Sequence, residues 1–124
     1  MSRTLELGDV IAESYLTYAP SQGAPQAVTV RIGRPVPDVS APHETWLCPY
    51  QVEGIGDGRT LAMFGVDAMQ ALILTIHTIP AELGWFIRHS GGQFLKFGEP
   101  DSSFIDACRS AIGHSGDLFP PRRM

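Results

Sequence analysis

From Thr45 to Glu53 the chain alternates, with Trp46, Cys48, Tyr50 and Val52 on one side and Thr45, Pro49, Gln51 and Glu53 mostly supplying the other. A period of two marks a strand with one buried face. Pro49 cannot donate to a ladder, which puts this strand at an edge or Pro49 at a bulge. Val10 to Tyr18 and Ala27 to Arg34 are rich in Val, Ile, Tyr and Thr, and the breaker APSQGAP separates them, so both read as strands. In the latter, Val28, Val30 and Ile32 point inward while Thr29 and Arg31 point away. RPVPDVSAPHE holds three prolines and reads as a long surface loop.

The stretch VEGIGDGRTLAMFG sets two strands around glycines at every second position. A phosphate-binding glycine loop leads from a strand into a helix, or is followed by a lysine, and here no lysine comes before Lys96. Asp-Gly between alternating segments is instead a hairpin signal, so Arg59 to Phe64 pairs back onto the alternating strand. A turn at Gly56-Asp57 sets Val52 opposite Leu61, and a turn at Asp57-Gly58 sets it opposite Met63. Both keep the same parity: Trp46, Cys48, Tyr50, Val52, Leu61 and Met63 share a face. The reverse face, with Leu47, Gln51, Ala62 and Phe64, is apolar for a solvent face.

Periodicity then changes. Asp67 suits a helix N-cap, Gln70 is its capping-box partner, and Val66 with Ala71 forms a hydrophobic staple. From Met69, the residues Leu72, Ile73, Ile76, Ile79 and Leu83 form one apolar stripe, widened by Leu74. This predicts a principal helix over about 67–84 that covers the sheet, with His77 on its exposed side and Pro80 either kinking it, the favoured reading, or opening a second short helix as its N1 residue. Gln93 to Phe97 reads as a short strand closed by Pro100. Ser103 with Asp106 opens a small helix over about 102–112 that presents Phe104, Ile105, Cys108 and Ile112, stops at Gly113, and leaves a frayed tail from about 115. The expected architecture is one α+β domain over 1–124, with an antiparallel sheet of four to five strands, a principal helix and a small C-terminal helix.

Composition narrows the function classes. At 124 residues, 44% apolar and 18% charged, the chain can bury a core of its own. A net charge of −4, with adjacent arginines only at Arg122-Arg123, gives a phosphate backbone little to bind, so no nucleic-acid partner is expected. MSRTLELGDV lacks the apolar core of a secretion signal and ALILTIHTIP is too short to span a bilayer, so the expected setting is the cytoplasm, with no membrane partner. Cys48 and Cys108 then stay as thiols.

The segment W-x-C-x-Y-x-V-x-G-I-G-D-G followed by G-V-D-A-M-Q-A-L, Trp46 to Leu72, resembles a family of small uncharacterised bacterial proteins known as a domain of unknown function. The resemblance implies a compact bacterial α+β domain and brings no activity with it. In size and class the chain is also similar to bacterial immunity proteins, an analogy without a motif.

The chemistry-bearing residues do not assemble a motif. His43, His77, His89 and His114 contain no i, i+4 pair, and a zinc site from His43, Cys48, Cys108 and His114 would use spacings foreign to zinc fingers. The alternation commits Cys48 to the core, and Cys108 lies on an apolar face, so neither is placed as a nucleophile. The acids Glu53, Asp57, Glu82, Asp101 and Asp106 are explained by turns, caps and solvated positions. No catalytic residue, cofactor or metal is therefore expected, and the protein is read as a non-enzyme. Trp85, Phe86, Arg88 and His89 combine aromatic rings with arginine and form the candidate interface, with Phe64 on the outer sheet face as a second patch. The expected function is a protein-interaction module, immunity-like or inhibitory, binding a partner or itself as a homodimer. The alternative is a small-molecule binder or small enzyme with a pocket between sheet and helix near Tyr50 and His77.

Overall fold

Leu16 and Tyr18, Val28, Val30 and Ile32, and Cys48 and Tyr50 lie on neighbouring strands with their side chains on a single buried face. In the computed structural model, which describes residues 5–100, these strands belong to one antiparallel sheet. The strands are β1 (Val10–Ala19), β2 (Gln26–Gly33), β3 (Val36–Pro37), β4 (Trp46–Glu53), β5 (Thr60–Gly65), β6 (Gln93–Lys96) and β7 (Glu99–Pro100), with one helix, α1 (Ala68–Ser90), between β5 and β6. The order is β3-β4-β2-β1-β6-β7, with β5 on the remaining side of β4. The fold is thus α+β, but the sheet has seven strands rather than four to five. The additions are β3 and β7, two residues each, which are too short for a periodic signal. The stretch expected to be only a long surface loop contains β3. The expected C-terminal helix over 102–112 and the tail lie outside the described residues.

Pro49 explains how β4 is built. On one side β4 pairs with β5 from Trp46↔Gly65 to Gln51↔Thr60. On the other, Tyr50 to Glu53 pair with β2, and Trp46 and Leu47 pair with β3. Pro49 falls in the gap between these two ladders, where its missing N–H costs nothing. The proline marks neither an edge nor a bulge but the point at which β4 changes partners. Gly33 sits beside it, where a Cβ would lie 2.0 Å from the Leu7 carbonyl oxygen and 2.8 Å from Pro49 Cγ.

The hairpin parity is as the glycine pattern predicts, with Cys48↔Met63 and Tyr50↔Leu61. The turn is wider than two residues. The β4–β5 pairing stops at Gln51↔Thr60, and Gly54, Gly56 and Gly58 all take positive φ (110°, 63° and 68°) within the connection. The Gln51 amide donates to the Gly58 carbonyl at 3.0 Å, and Asp57 Oδ1 accepts from the Arg59 N–H at 3.1 Å. The loop therefore has its own scaffold.

The start of α1 is as predicted: Asp67 is the N-cap and accepts from the Gln70 N–H at 2.8 Å. The Gln70 side chain reaches past the cap to accept from the Val66 N–H at 2.8 Å. Val66 stays exposed, so no hydrophobic staple closes over the cap. The helix runs through Pro80 to Ser90, beyond the expected end near 84. Gly91 is its C-cap, and its N–H donates to the Ile87 carbonyl at 2.7 Å.

The buried face of α1 is also rotated from the expected stripe. Met69 is 69% and Ile73 37% exposed, whereas Ala71, Thr75, Ile79 and Leu83 are buried. Close approach is the reason. A Cβ on Gly65 would sit 2.6 Å from the Ala71 nitrogen, so the first turn of the helix lies almost on the end of β5. Only small residues fit there. The Thr75 hydroxyl is satisfied by the Ala71 carbonyl at 2.9 Å, with the Cys48 carbonyl at 3.3 Å. Further along, Ile79 and Leu83 each contribute roughly 1.5–3 kcal/mol by burial.

The outer sheet face is divided. Leu47 is buried, but across β1, β2 and β4 the face is polar: Arg31 bonds Glu13 at 2.9 Å and Glu53 at 2.8 Å. Tyr15 donates its phenol proton to Glu13 at 2.7 Å. Among the described residues no helix is long and apolar enough to cross a membrane.

Candidate functional site: a cleft between the glycine hairpin and the helix

The β4–β5 hairpin curls toward the second half of α1 and leaves a cleft of about 360 Å3 between them. Tyr50, Val52 and Leu61 come from the strands, Ile55 to Arg59 from the loop, and Glu82, Leu83, Trp85 and Phe86 from the helix. The size is near the lower end for small-molecule sites, and an apolar lining with few polar groups is their usual character.

Tyr50 and Glu82 define the polar floor. The Tyr50 hydroxyl donates to Glu82 Oε2 at 2.5 Å. Burial, then the hydrogen bond to Glu82 and its negative charge, push the phenol well above its ordinary range, with Arg59 acting weakly in the opposite direction. Tyr50 is therefore a neutral phenol at physiological pH. At the rim, Arg59 Nε and Asp57 Oδ2 lie 3.4 Å apart with both side chains largely exposed.

Aromatic residues build the helix wall. Trp85 is 54% exposed and stacks on His89 with ring centroids 4.0 Å apart, and the His89 Nδ1 lies 2.9 Å from the Trp85 carbonyl. Phe86 is half-buried, lines the cleft, and meets Tyr18 edge-on at 5.0 Å and Phe94 at 6.4 Å. Of the expected interface residues, Trp85 and Phe86 thus come together in the cleft, and His89 supports Trp85 from behind. Arg88 is exposed in the last turn of α1 and does not line the cleft. Phe64 stands toward the far end of β5, cross-strand from Leu47 and away from the other candidates.

Of the pair expected to flank a pocket, Tyr50 is in it and His77 is not. His77 is half-buried rather than exposed, and its Nδ1 is buried without a hydrogen-bond partner. Cys48 is fully buried, its thiol 3.5 Å from the Gly33 carbonyl oxygen. Burial pushes that thiol up, against a smaller opposing effect of Thr75, which suits an inert packing residue. Among the described residues no group of three or more His, Cys, Asp and Glu is placed to hold a metal ion.

Glu82, Asp57 and Arg59 are the cleft residues that the sequence reading assigned to solvent or left aside. A signal for Glu82 was present. Thr75, Ile79, Glu82 and Phe86 follow one another at helical spacing, so an acid interrupts a buried stripe.

A family model described as "Domain of unknown function (DUF6968)" matches residues 12–104 of the 124, so the chain belongs to that family. No curated protein and no solved structure matches it.

Proposed function

We propose that this member of the DUF6968 family is a binding protein that takes a small ligand in the cleft between the β4–β5 hairpin and α1, without transforming it. The cleft itself carries the reading: a concavity of about 360 Å3 with an apolar and aromatic lining and a single polar pair at its floor. The pair suits binding better than proton transfer. Tyr50 keeps its proton and donates it in a hydrogen bond to Glu82 Oε2, so Tyr50 is not poised as a general base.

The experiment is a fragment screen followed by amide NMR. Shifts gathered on Tyr50, Leu61, Glu82 and Trp85 support the reading, and a screen in which no compound moves these residues overturns it.

A second reading, self-association, is favoured by a separate observation. Among the described residues β5 pairs only with β4, and Val66 and Met69 stand exposed just beyond its end. Light scattering during gel filtration tests it: a monomer at all concentrations removes this reading.

A further inference from the structure

The charges lining the cleft are unevenly answered. Asp57 and Arg59 face each other at the rim and offset one another in solvent. Among the described residues Glu82 has no such partner. Its Oε2 accepts the hydrogen bond from the Tyr50 hydroxyl, while its Oε1 makes no hydrogen bond or ion pair among the described residues. Because the Tyr50 hydroxyl proton is engaged by Glu82, this pair offers the cleft lone pairs and a negative charge but no donor of its own. The rings of Tyr50, Trp85 and Phe86 line the same cleft as that carboxylate. Aromatic faces attract cations, and a charge-assisted hydrogen bond to a carboxylate is stronger than a neutral one.

We propose that the cleft selects small organic cations, an ammonium or guanidinium carried on a short apolar or aromatic body, with the cationic nitrogen on Glu82 Oε1 and the body against Trp85 and Phe86. This rests on the cleft being a ligand site, as proposed above. An anion of the same shape meets Glu82 and is repelled. A neutral isostere keeps the apolar contacts and loses the charge.

The test follows Trp85 fluorescence in the 124-residue chain, with Trp85→Phe identifying the signal against Trp46. Three probes share a phenyl ring and differ in charge: 2-phenylethylammonium, 2-phenylethanol and 3-phenylpropionate. The ammonium is expected to bind at least about tenfold more tightly than the alcohol, and the propionate more weakly than both. In Glu82→Gln the preference for the ammonium over the alcohol falls below about threefold. Should that variant fail to fold, salt dependence of the unaltered protein reads the same quantity: added chloride weakens the ammonium and leaves the alcohol unchanged. If alcohol or propionate binds as tightly as the ammonium, the cation preference is wrong and the cleft stands as a site. If none of the three binds, both the preference and the ligand-site reading fall.

Discussion

The phenol of Tyr50 on β4 and the carboxylate of Glu82 on α1, 32 residues apart in the chain, share a 2.5 Å hydrogen bond at the floor of the cleft. It couples sheet to helix by a polar contact inside a mainly apolar cleft. Tyr50→Phe is expected to destabilise the fold by about 1–2 kcal/mol, because a half-buried carboxylate loses its donor. Urea unfolding measures it.

The same bond gives a pH dependence of definite sign. The Tyr50 value in the folded state is raised, so its contribution is fully present below pH 10.0, the ordinary phenol value, and is lost as the pH climbs through the raised folded value. In an alkaline absorbance titration, Tyr50 should ionise in a late step of its own, after Tyr15, whose phenol is raised less, chiefly by its hydrogen bond to Glu13. Tyr50→Phe should remove that late step, and a titration curve unchanged by the substitution contradicts the assignment.

Glycines separate into two kinds. At Gly65 a Cβ would press on the Ala71 nitrogen at 2.6 Å, so Gly65→Ala is expected to cost about 1–3 kcal/mol by forcing helix from strand. At Gly56 a Cβ meets nothing within 4 Å, and only the φ of 63° resists it, so Gly56→Ala should cost about 1 kcal/mol. Thermal midpoints of the two variants should fall in that order.

Cys48 offers a fourth check. Fully buried and with its thiol pushed up by desolvation, it should resist aromatic disulfide reagents in the native protein. In a Cys108→Ser background, labelling should begin only as denaturant unfolds the chain. Rapid native labelling would mean that the sheet face is open.

At the start of α1, Asp67→Ala removes the acceptor of the Gln70 N–H and should cost about 1 kcal/mol. Asp67→Ser, which keeps an acceptor, should recover most of the loss. Denaturation midpoints of the pair separate a capping role from a purely charge-based one.

Strand parity was legible because alternation is a property of the strand itself: Trp46, Cys48, Tyr50 and Val52 had to share a face wherever the strand went. The cap at Asp67 was legible for the same reason, being local. The orientation of α1 was not, since Met69 and Ile73 are the greasier residues, yet backbone proximity at Gly65 selects Ala71 and Thr75 for the interface. Hydropathy cannot report how near two backbones come. β3 was hidden by its two-residue length and by Pro37, and the switch of partners at Pro49 exists only in the assembled sheet. Glu82 reads as an ordinary helical acid until Tyr50 is set across from it. Trp85 and Phe86 stood out by composition, but the loop that faces them became visible only with the fold.

Phe86 belongs to two environments at once, its ring wedged against Tyr18 and Phe94 while it walls the cleft. Tyr18 in turn donates its hydroxyl proton to the Gly91 carbonyl at 2.6 Å, fastening β1 to the end of the same helix. A ligand of the proposed site would therefore lean on the cluster that holds β1 and β6 to α1. Substitutions at Tyr18 or Phe94, which do not line the cleft themselves, would retune its shape from behind.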